Sequence, residues 1–264
     1  MNHKNFKSLH GAAVTIGNFD GLHIGHQQIM KKLVSLAQKR GVPSVVITFS
    51  PHPAEVLGGR EGFKKLFDID DLQEFLNRVG VDMLAVVPFT KKMADLSAER
   101  FLQDYVMRPF QPVNFIVGDD FAFGKERRGN QDFLMKKARE YNYSLTVVPQ
   151  LVLEGAIVSS SRIRSCLRTG DVELAAKLLG RSFFVKGVVC AGEKRGRHLG
   201  FPTANLLEPD KLVPKRGVYA TRVIFQEKIF PAVTNIGSKP TFHDENGPVS
   251  IESHLLDQEI DLYH

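Results

Sequence analysis

Residues 12–26 read AAVTIGNFDGLHIGH, and the fold turns on how this stretch divides. Residues 12–17 are a short apolar run, as expected of a strand buried on both faces. Glycines then make a tight turn. From Gly25 apolar residues recur at helical spacing (Ile29, Leu33, Leu36, Ala37), and Gly41 stops the pattern after Arg40. The start of a helix presents free N–H groups and a partial positive charge, so a strand–turn–helix of this kind is a place for phosphate. His23 and His26 flank that start, with Gly25 between them to let a ligand approach the backbone.

Outward from this unit the alternation continues. Residues 44–49 (SVVITF) predict a strand, 70–79 a helix and 83–87 a strand. Ser97 caps a helix reaching to about residue 107. Strand 113–117, helix 130–141 and strand 144–148 follow. Such βαβα order implies a parallel, Rossmann-like sheet with helices on both faces, and ligands at the carboxyl ends of its strands. Asp171 caps a short helix that ends at Gly180. Beyond it the rhythm changes. Residues 183–190, 218–225, 229–235 and 249–255 read as strands separated by turns, the pattern of a small antiparallel β-barrel. We therefore expect two domains, residues 1–180 and 181–264.

Composition agrees with a globular protein: 43% hydrophobic and 24% charged residues. The net charge of +6 is mild, and its basic residues are interspersed with acidic ones. That pattern fits phosphorylated small molecules at least as well as a polynucleotide, and no nucleic-acid partner is expected. Two cysteines, Cys166 and Cys190, have no metal spacing and imply a reducing compartment. No signal-peptide core and no run of about 18 apolar residues is present, so a cytoplasmic chain without membrane contact is expected. The sequence does not speak to oligomeric state.

The residues alone leave alternatives open. His23 and His26 can be phosphate donors, or exposed rings on a Gly-rich turn. Pro51 and Pro53 can stiffen a platform for a flat ring or simply end a strand. Asp120 follows a strand end and can bond a ribose, adenine or flavin edge, and Phe123 can lie against a ring or in the core. Ser160 and Ser161 precede a helical segment, as caps and anion contacts do. Arg164 is a fixed cation in reach of phosphates. His52 reads as a loop residue. Lys125, Arg127 and Arg128 form a basic loop, and Arg162 and Arg168 read as solvated helix charges. In the second half, EKRGRHLGFPTAN (193–205) sets Gly200 among glycines and basic residues, a loop able to cradle phosphate. Thr203 and Asn205 supply the oxygen atoms that Mg²⁺ favours.

Taken together these segments resemble one family. GNFDGLHIGH (17–26) is similar to the signature of the HxGH nucleotidylyltransferases, whose histidines hold ATP phosphates while pyrophosphate leaves. TFSPHP (48–53), GDDFAFGKERRGN (118–130) and SSSRIR (159–164) resemble, in order and spacing, the flavin and phosphate loops of bacterial FMN adenylyltransferases; the last usually carries Thr in third place. PTAN (202–205), PKRGVYA (214–220), NIGSKPTF (235–242) and IESHLLDQEIDLY (251–263) resemble riboflavin kinases. The pairing resembles bacterial bifunctional FAD synthetases, which make FMN from riboflavin and FAD from FMN with ATP and Mg²⁺.

The resemblance implies catalytic roles for His23, His26, Arg164 and, as general base, Glu252. It implies substrate contacts from Gly17, Phe19, Asp20, Gly25, Pro51, Pro53, Asp120, Phe123, Ser160, Ser161, Gly200, Thr203 and Asn205, the last two as Mg²⁺ ligands. It also implies a further strand and helix beyond DLY, so the kinase module is expected to be shortened. Rival readings are a nucleotidylyltransferase with another phosphate acceptor and an inactive kinase-like module, and a flavin- or RNA-binding regulator.

Overall fold

The computed structural model describes residues 11–58, 62–190, 203–207, 209–238 and 249–256. By packing, the chain divides into residues 1–160 with 178–180 and residues 161–177 with 181–264.

In the first unit, β1 (Ala13–Ile16), β2 (Ser44–Phe49), β3 (Met83–Val87), β4 (Asn114–Gly118) and β5 (Ser144–Val148) form one parallel sheet in the order β3-β2-β1-β4-β5. Its central strands are apolar and buried. Val14, Ile16, Val45, Ile47, Phe115 and Val117 join Phe101, Leu102 and Phe110 in the main core. Each such side chain contributes roughly 1.5–3 kcal/mol on leaving water. β1 pairs with β2 on one side and β4 on the other, so the order of the sheet switches beside β1. Crevices form at such switch points, outside the carboxyl ends of the strands.

The helix α1 (Ile24–Arg40) packs on β1 and β4 and buries Ile29, Met30, Leu33 and Ala37. It ends as its sequence predicts: Gly41 is left-handed (φ +63°) and its N–H reaches the carbonyls of Ala37 and Gln38. α2 (Pro53–Leu57) and α3 (Ile69–Val79) follow β2, and α4 (Lys91–Ala94) and α5 (Ala98–Leu102) follow β3. Ser97 caps α5 through the Arg100 N–H. The expected single helix to residue 107 is interrupted by a π-helical turn, Gln103–Met107, before α6 (Arg108–Phe110). α7 (Gln131–Tyr141) is capped by Asn130 and leads to β5, followed by a small hairpin of β6 (Val152–Leu153) and β7 (Ala156–Ile157). α8 (Ser160–Thr169) and α9 (Val172–Leu179) follow in the chain, with Asp171 accepting the Leu174 N–H as α9's cap.

The sequence placed the division after residue 180. Residues 161–177 pack with the second unit because the Lys215 N–H donates to the Leu167 carbonyl at 2.8 Å and Gly170 lies against the Lys215 side chain. That unit carries an antiparallel sheet of β8 (Val189–Cys190), β9 (Thr203–Leu206), β10 (Gly217–Phe225), β11 (Lys228–Ser238) and β12 (Val249–Leu255), in the order β10-β11-β12-β9-β8. Of the expected strand 183–190, Val189 and Cys190 alone are extended among the described residues, paired with Leu206 and Asn205 of β9. β9 itself lies where the sequence suggested a polar turn. Across β10, β11 and β12 the hydroxyls of Thr221, Thr234 and Ser253 form a ladder with steps of 2.7 and 2.8 Å, on the face that also holds Ala204, Ala232 and Leu255.

At the amino end of the parallel sheet the Ser44 N–H and hydroxyl both donate to Asp82 Oδ2 (2.8 and 2.7 Å). The hydroxyl bond first, then the backbone bond, hold the Asp82 carboxyl below its usual pKa. A depressed carboxyl stabilises above its unfolded pKa, and that stability is lost as the pH falls through the folded value. Asp82→Ala is expected to lower stability at neutral pH by about 0.5–1 kcal/mol, since Asp82 is exposed and solvent screens its bonds. The deficit should shrink once the pH drops below about 4, as followed by denaturant unfolding. Identical unfolding midpoints at pH 7 would contradict this.

Candidate active site

His23 is the N-cap of α1, in extended backbone, and its Nδ1 accepts the His26 N–H at 3.2 Å. A ring nitrogen that accepts carries no proton, so in the neutral ring the proton sits on Nε2 and remains a donor. The His26 ring stacks on His23, with centroids 3.6 Å apart and planes 19° from parallel. Gly25 makes the stack possible, since a Cβ there would lie 3.2 Å from His23 Nδ1. The Phe19 ring meets His26 edge-on at 5.3 Å, and Gly17 leaves room for Phe19: a Cβ there would lie 2.9 Å from its ring. His26 Nδ1 is buried with no hydrogen-bond partner among the described residues. Burial, and secondly the neighbouring His23, hold the His26 imidazole well below its usual pKa.

The turn before the histidines is unusual backbone. Phe19 (φ +48°), Gly21 (φ +76°) and Leu22 (φ +40°) are all left-handed. Non-glycine residues persist there only when the surroundings hold them, commonly at functional sites. Asp20 supplies part of that hold. It is buried, and its Oδ1 accepts the N–H groups of both Leu66 and Phe67 at 2.9 Å. The Thr48 hydroxyl donates to the Asn18 carbonyl (3.2 Å), and the Ser160 hydroxyl to the Asp20 carbonyl (2.8 Å). Three of the recognised segments thus meet at one turn. Beside it opens a cleft lined by Asn18, Phe19, Phe49, His52, Lys65 and Phe67 among others.

On the β2 side of the cleft, His52 is more than a loop residue. Its Nδ1 accepts the Ala54 N–H (3.0 Å) and its own N–H donates to Glu55 (2.7 Å), a reciprocal cap on α2 with Pro53 in the first turn. The signal was present as His-Pro-x-Glu, with Pro in its favoured first helical position. The His52 ring stacks on Phe63 at 4.7 Å, and Pro51 is exposed. On the β4 side, Asp120 is exposed in the turn after Gly118. Phe123 is buried among Phe101, Phe121 and Phe133, 5.1–5.9 Å between centroids. Gly129 is required there, as a Cβ would lie 2.7 Å from the Phe123 ring. In α8, Ser161 is exposed and Arg164 buried, and both pack with the second unit.

The second unit holds a separate group. Asn205 lies directly across from Glu252, and Thr203 across from His254. Alternation along a strand therefore puts Thr203, Asn205, Glu252 and His254 on one face of the sheet. The Ser250 hydroxyl donates to Glu252 at 3.4 Å. Gly200 lies outside the described residues, as do 191–202 and the end of the chain from 257.

Residues 5–162 match the FAD synthetase family model, and residues 179–264 match the riboflavin kinase model. The chain belongs to the FAD synthetase family. It is 36% identical over 254 residues to a bifunctional riboflavin kinase/FMN adenylyltransferase of Escherichia coli K12, covering 96% of this chain and 80% of that protein. A protein of the same description from Bacillus subtilis is 36% identical over 255 residues, with the same coverage. The one from Buchnera aphidicola is 35% identical over 262 residues, covering 98% and 84%. Among solved structures, one described as a macrolide-efflux protein from Streptococcus pneumoniae superposes with a TM-score of 0.85 at 30% identity, covering 98% of this chain and 85% of that one. Among the described residues no helix of this FAD synthetase is long and apolar enough to cross a membrane.

The depressed His26 pKa carries a stability consequence. The unfolded chain takes up a proton on His26 near pH 6.5 more readily than the folded one, so this contribution to stability is complete above that pH and lost below it. Unfolding free energies measured from pH 7.5 to 5 should therefore fall more steeply for the parent protein than for His26→Gln, whose side chain does not titrate. Parallel curves would show that His26 is not held neutral.

Proposed function

We propose that the first unit joins ATP and FMN to give FAD and pyrophosphate, and that the second transfers the γ-phosphoryl group of ATP to riboflavin. The observation that carries the first assignment is the imidazole pair at the start of α1, with one buried ring nitrogen lacking a partner among the described residues, beside the switch point of the sheet. The relatives' described activities support the same reading for both units.

In the first reaction an FMN phosphate oxygen attacks the α-phosphorus of ATP in line, and the bond to the β-phosphate oxygen breaks. Charge moves onto pyrophosphate. His23 through Nε2–H, His26 and the free N–H groups of α1 stabilise that charge. The resemblance of SSSRIR to the late phosphate motif is what assigns Arg164, a fixed cation, to the same reaction. Gly17 and Gly25 make room for the Phe19 and His23 rings, so that the imidazole pair can stand at the triphosphate. Asp20 and Ser160 hold the turn in place, and Ser161 is left as the exposed hydroxyl of the late phosphate motif. Pro51, Pro53 and Asp120 belong to the acceptor side, on which a flat isoalloxazine meets stiff loops, whereas Phe123 takes the core alternative and supports its loop from within.

In the second reaction Glu252 takes the proton from the riboflavin 5′-hydroxyl as that oxygen attacks the γ-phosphorus. Thr203 and Asn205 fit a Mg²⁺ role, being oxygen-bearing residues two apart on the sheet face that holds Glu252. Mg²⁺, when bound, neutralises phosphate charge in both reactions. The resemblance to riboflavin kinases assigns Gly200 to phosphate binding in this reaction. ATP, FMN and riboflavin are the small-molecule partners. The two free cysteines suit a reducing cytoplasm.

Purified protein given FMN and Mg²⁺–ATP is expected to form FAD, and given riboflavin to form FMN first. His26→Ala should lower the FAD-forming kcat about 10²–10⁴-fold, with little change in FMN affinity. Glu252→Gln should stop riboflavin phosphorylation and leave FAD formation from supplied FMN intact. No FAD from FMN, or adenylylation of some other phosphate acceptor only, would overturn the first assignment.

A further inference from the structure

Gln27 follows His26 in the first turn of α1. Its side-chain nitrogen donates to two backbone carbonyls at once, Leu22 at 3.0 Å and Leu179 at 2.8 Å. Leu22 is the left-handed residue immediately before His23, and Leu179 is the last residue of α9, 152 positions away in the chain. The contact is close on both sides. Gly180 is left-handed (φ +69°), and a Cβ there would lie 2.8 Å from Ile24 Cγ2 and 3.6 Å from the Gln27 amide. Residues 178–180 accordingly pack with the first unit although 161–177 do not. The carbonyls at the end of a helix lack intrahelical donors, so the Gln27 amide satisfies Leu179 while restraining Leu22. A primary amide suits this task, since its one nitrogen carries two protons.

We propose that Gln27 is a positioning residue for adenylyl transfer: by bridging the Leu22 and Leu179 carbonyls it fixes the left-handed turn before His23 against the end of α9, and so sets where the two imidazoles stand. Bound geometry is worth this restraint, because a displacement of about 1 Å in a reacting constellation costs roughly 10²-fold in rate. The inference rests on the reading of His23 and His26 as phosphate-binding groups.

The test is Gln27→Met, which keeps length and removes both donors. Steady-state FAD formation is measured together with the NMR titration of the His26 ring. The expected result is a kcat at least tenfold lower, a KM for FMN within about twofold of the parent, and a His26 midpoint moved up toward the ordinary histidine value as the stack loosens. Should Gln27→Met not fold, Gly180→Ala reaches the same contact from α9 and is read in the same way. An unchanged kcat overturns the proposal, and so does a lowered kcat with an unmoved His26 midpoint. If the parent protein itself forms no FAD, the functional reading fails, and the titration alone decides the role of Gln27.

Discussion

One hydrogen bond organises the first unit: the His26 N–H donating to His23 Nδ1. It makes an imidazole the cap of α1, where Ser, Thr, Asp or Asn would ordinarily stand. Because Nδ1 accepts, the His23 proton is directed to Nε2, and burial, with the neighbouring His23 second, holds the stacked His26 ring well below its usual pKa. A helix start with two neutral imidazoles and free amides carries partial positive charge without a fixed cation's full desolvation cost. The left-handed turn, the Asp20 carboxylate and the glycines at 17 and 25 all serve that arrangement.

The second unit relies on register. A one-residue slip of β12 against β9 would turn Glu252 to the opposite face of the sheet from Asn205. The hydroxyl ladder Thr221–Thr234–Ser253 on the other face pairs in one register only, and Ser253 adjoins Glu252. The polar residues that look out of place in this sheet therefore fix β12 against β11, and with it the face on which Glu252 stands.

Much of this was legible in the sequence. The boundaries of β2, β3, β5 and β12 agree to the residue with runs of β-branched and apolar side chains. Gly41 ended α1 and Asp171 capped α9 as short-range chemistry requires. The π-helical turn after α5 interrupted a helix that periodicity alone continued. β9 was hidden because Thr-Ala-Asn-Leu, behind a Gly- and Pro-rich run, looks like a turn, and pairing with β12 and β8 makes it a strand. The two histidines were visible as a spacing. Which nitrogen accepts, how the rings stack and what Asp20 binds depend on residues as distant as Leu66 and Phe67. The Gln27–Leu179 contact joins positions 152 apart, and no local pattern announces it.

The account stands most directly on the protonation and reach of the two rings. A long-range ¹H–¹⁵N NMR spectrum of the histidine side chains, recorded while Mg²⁺–ATP is added, reads both. It should show His23 as the Nε2–H tautomer in the free protein, with resonances of both rings shifting as the nucleotide binds. A His23 proton on Nδ1, or binding that leaves both rings unperturbed, would contradict it.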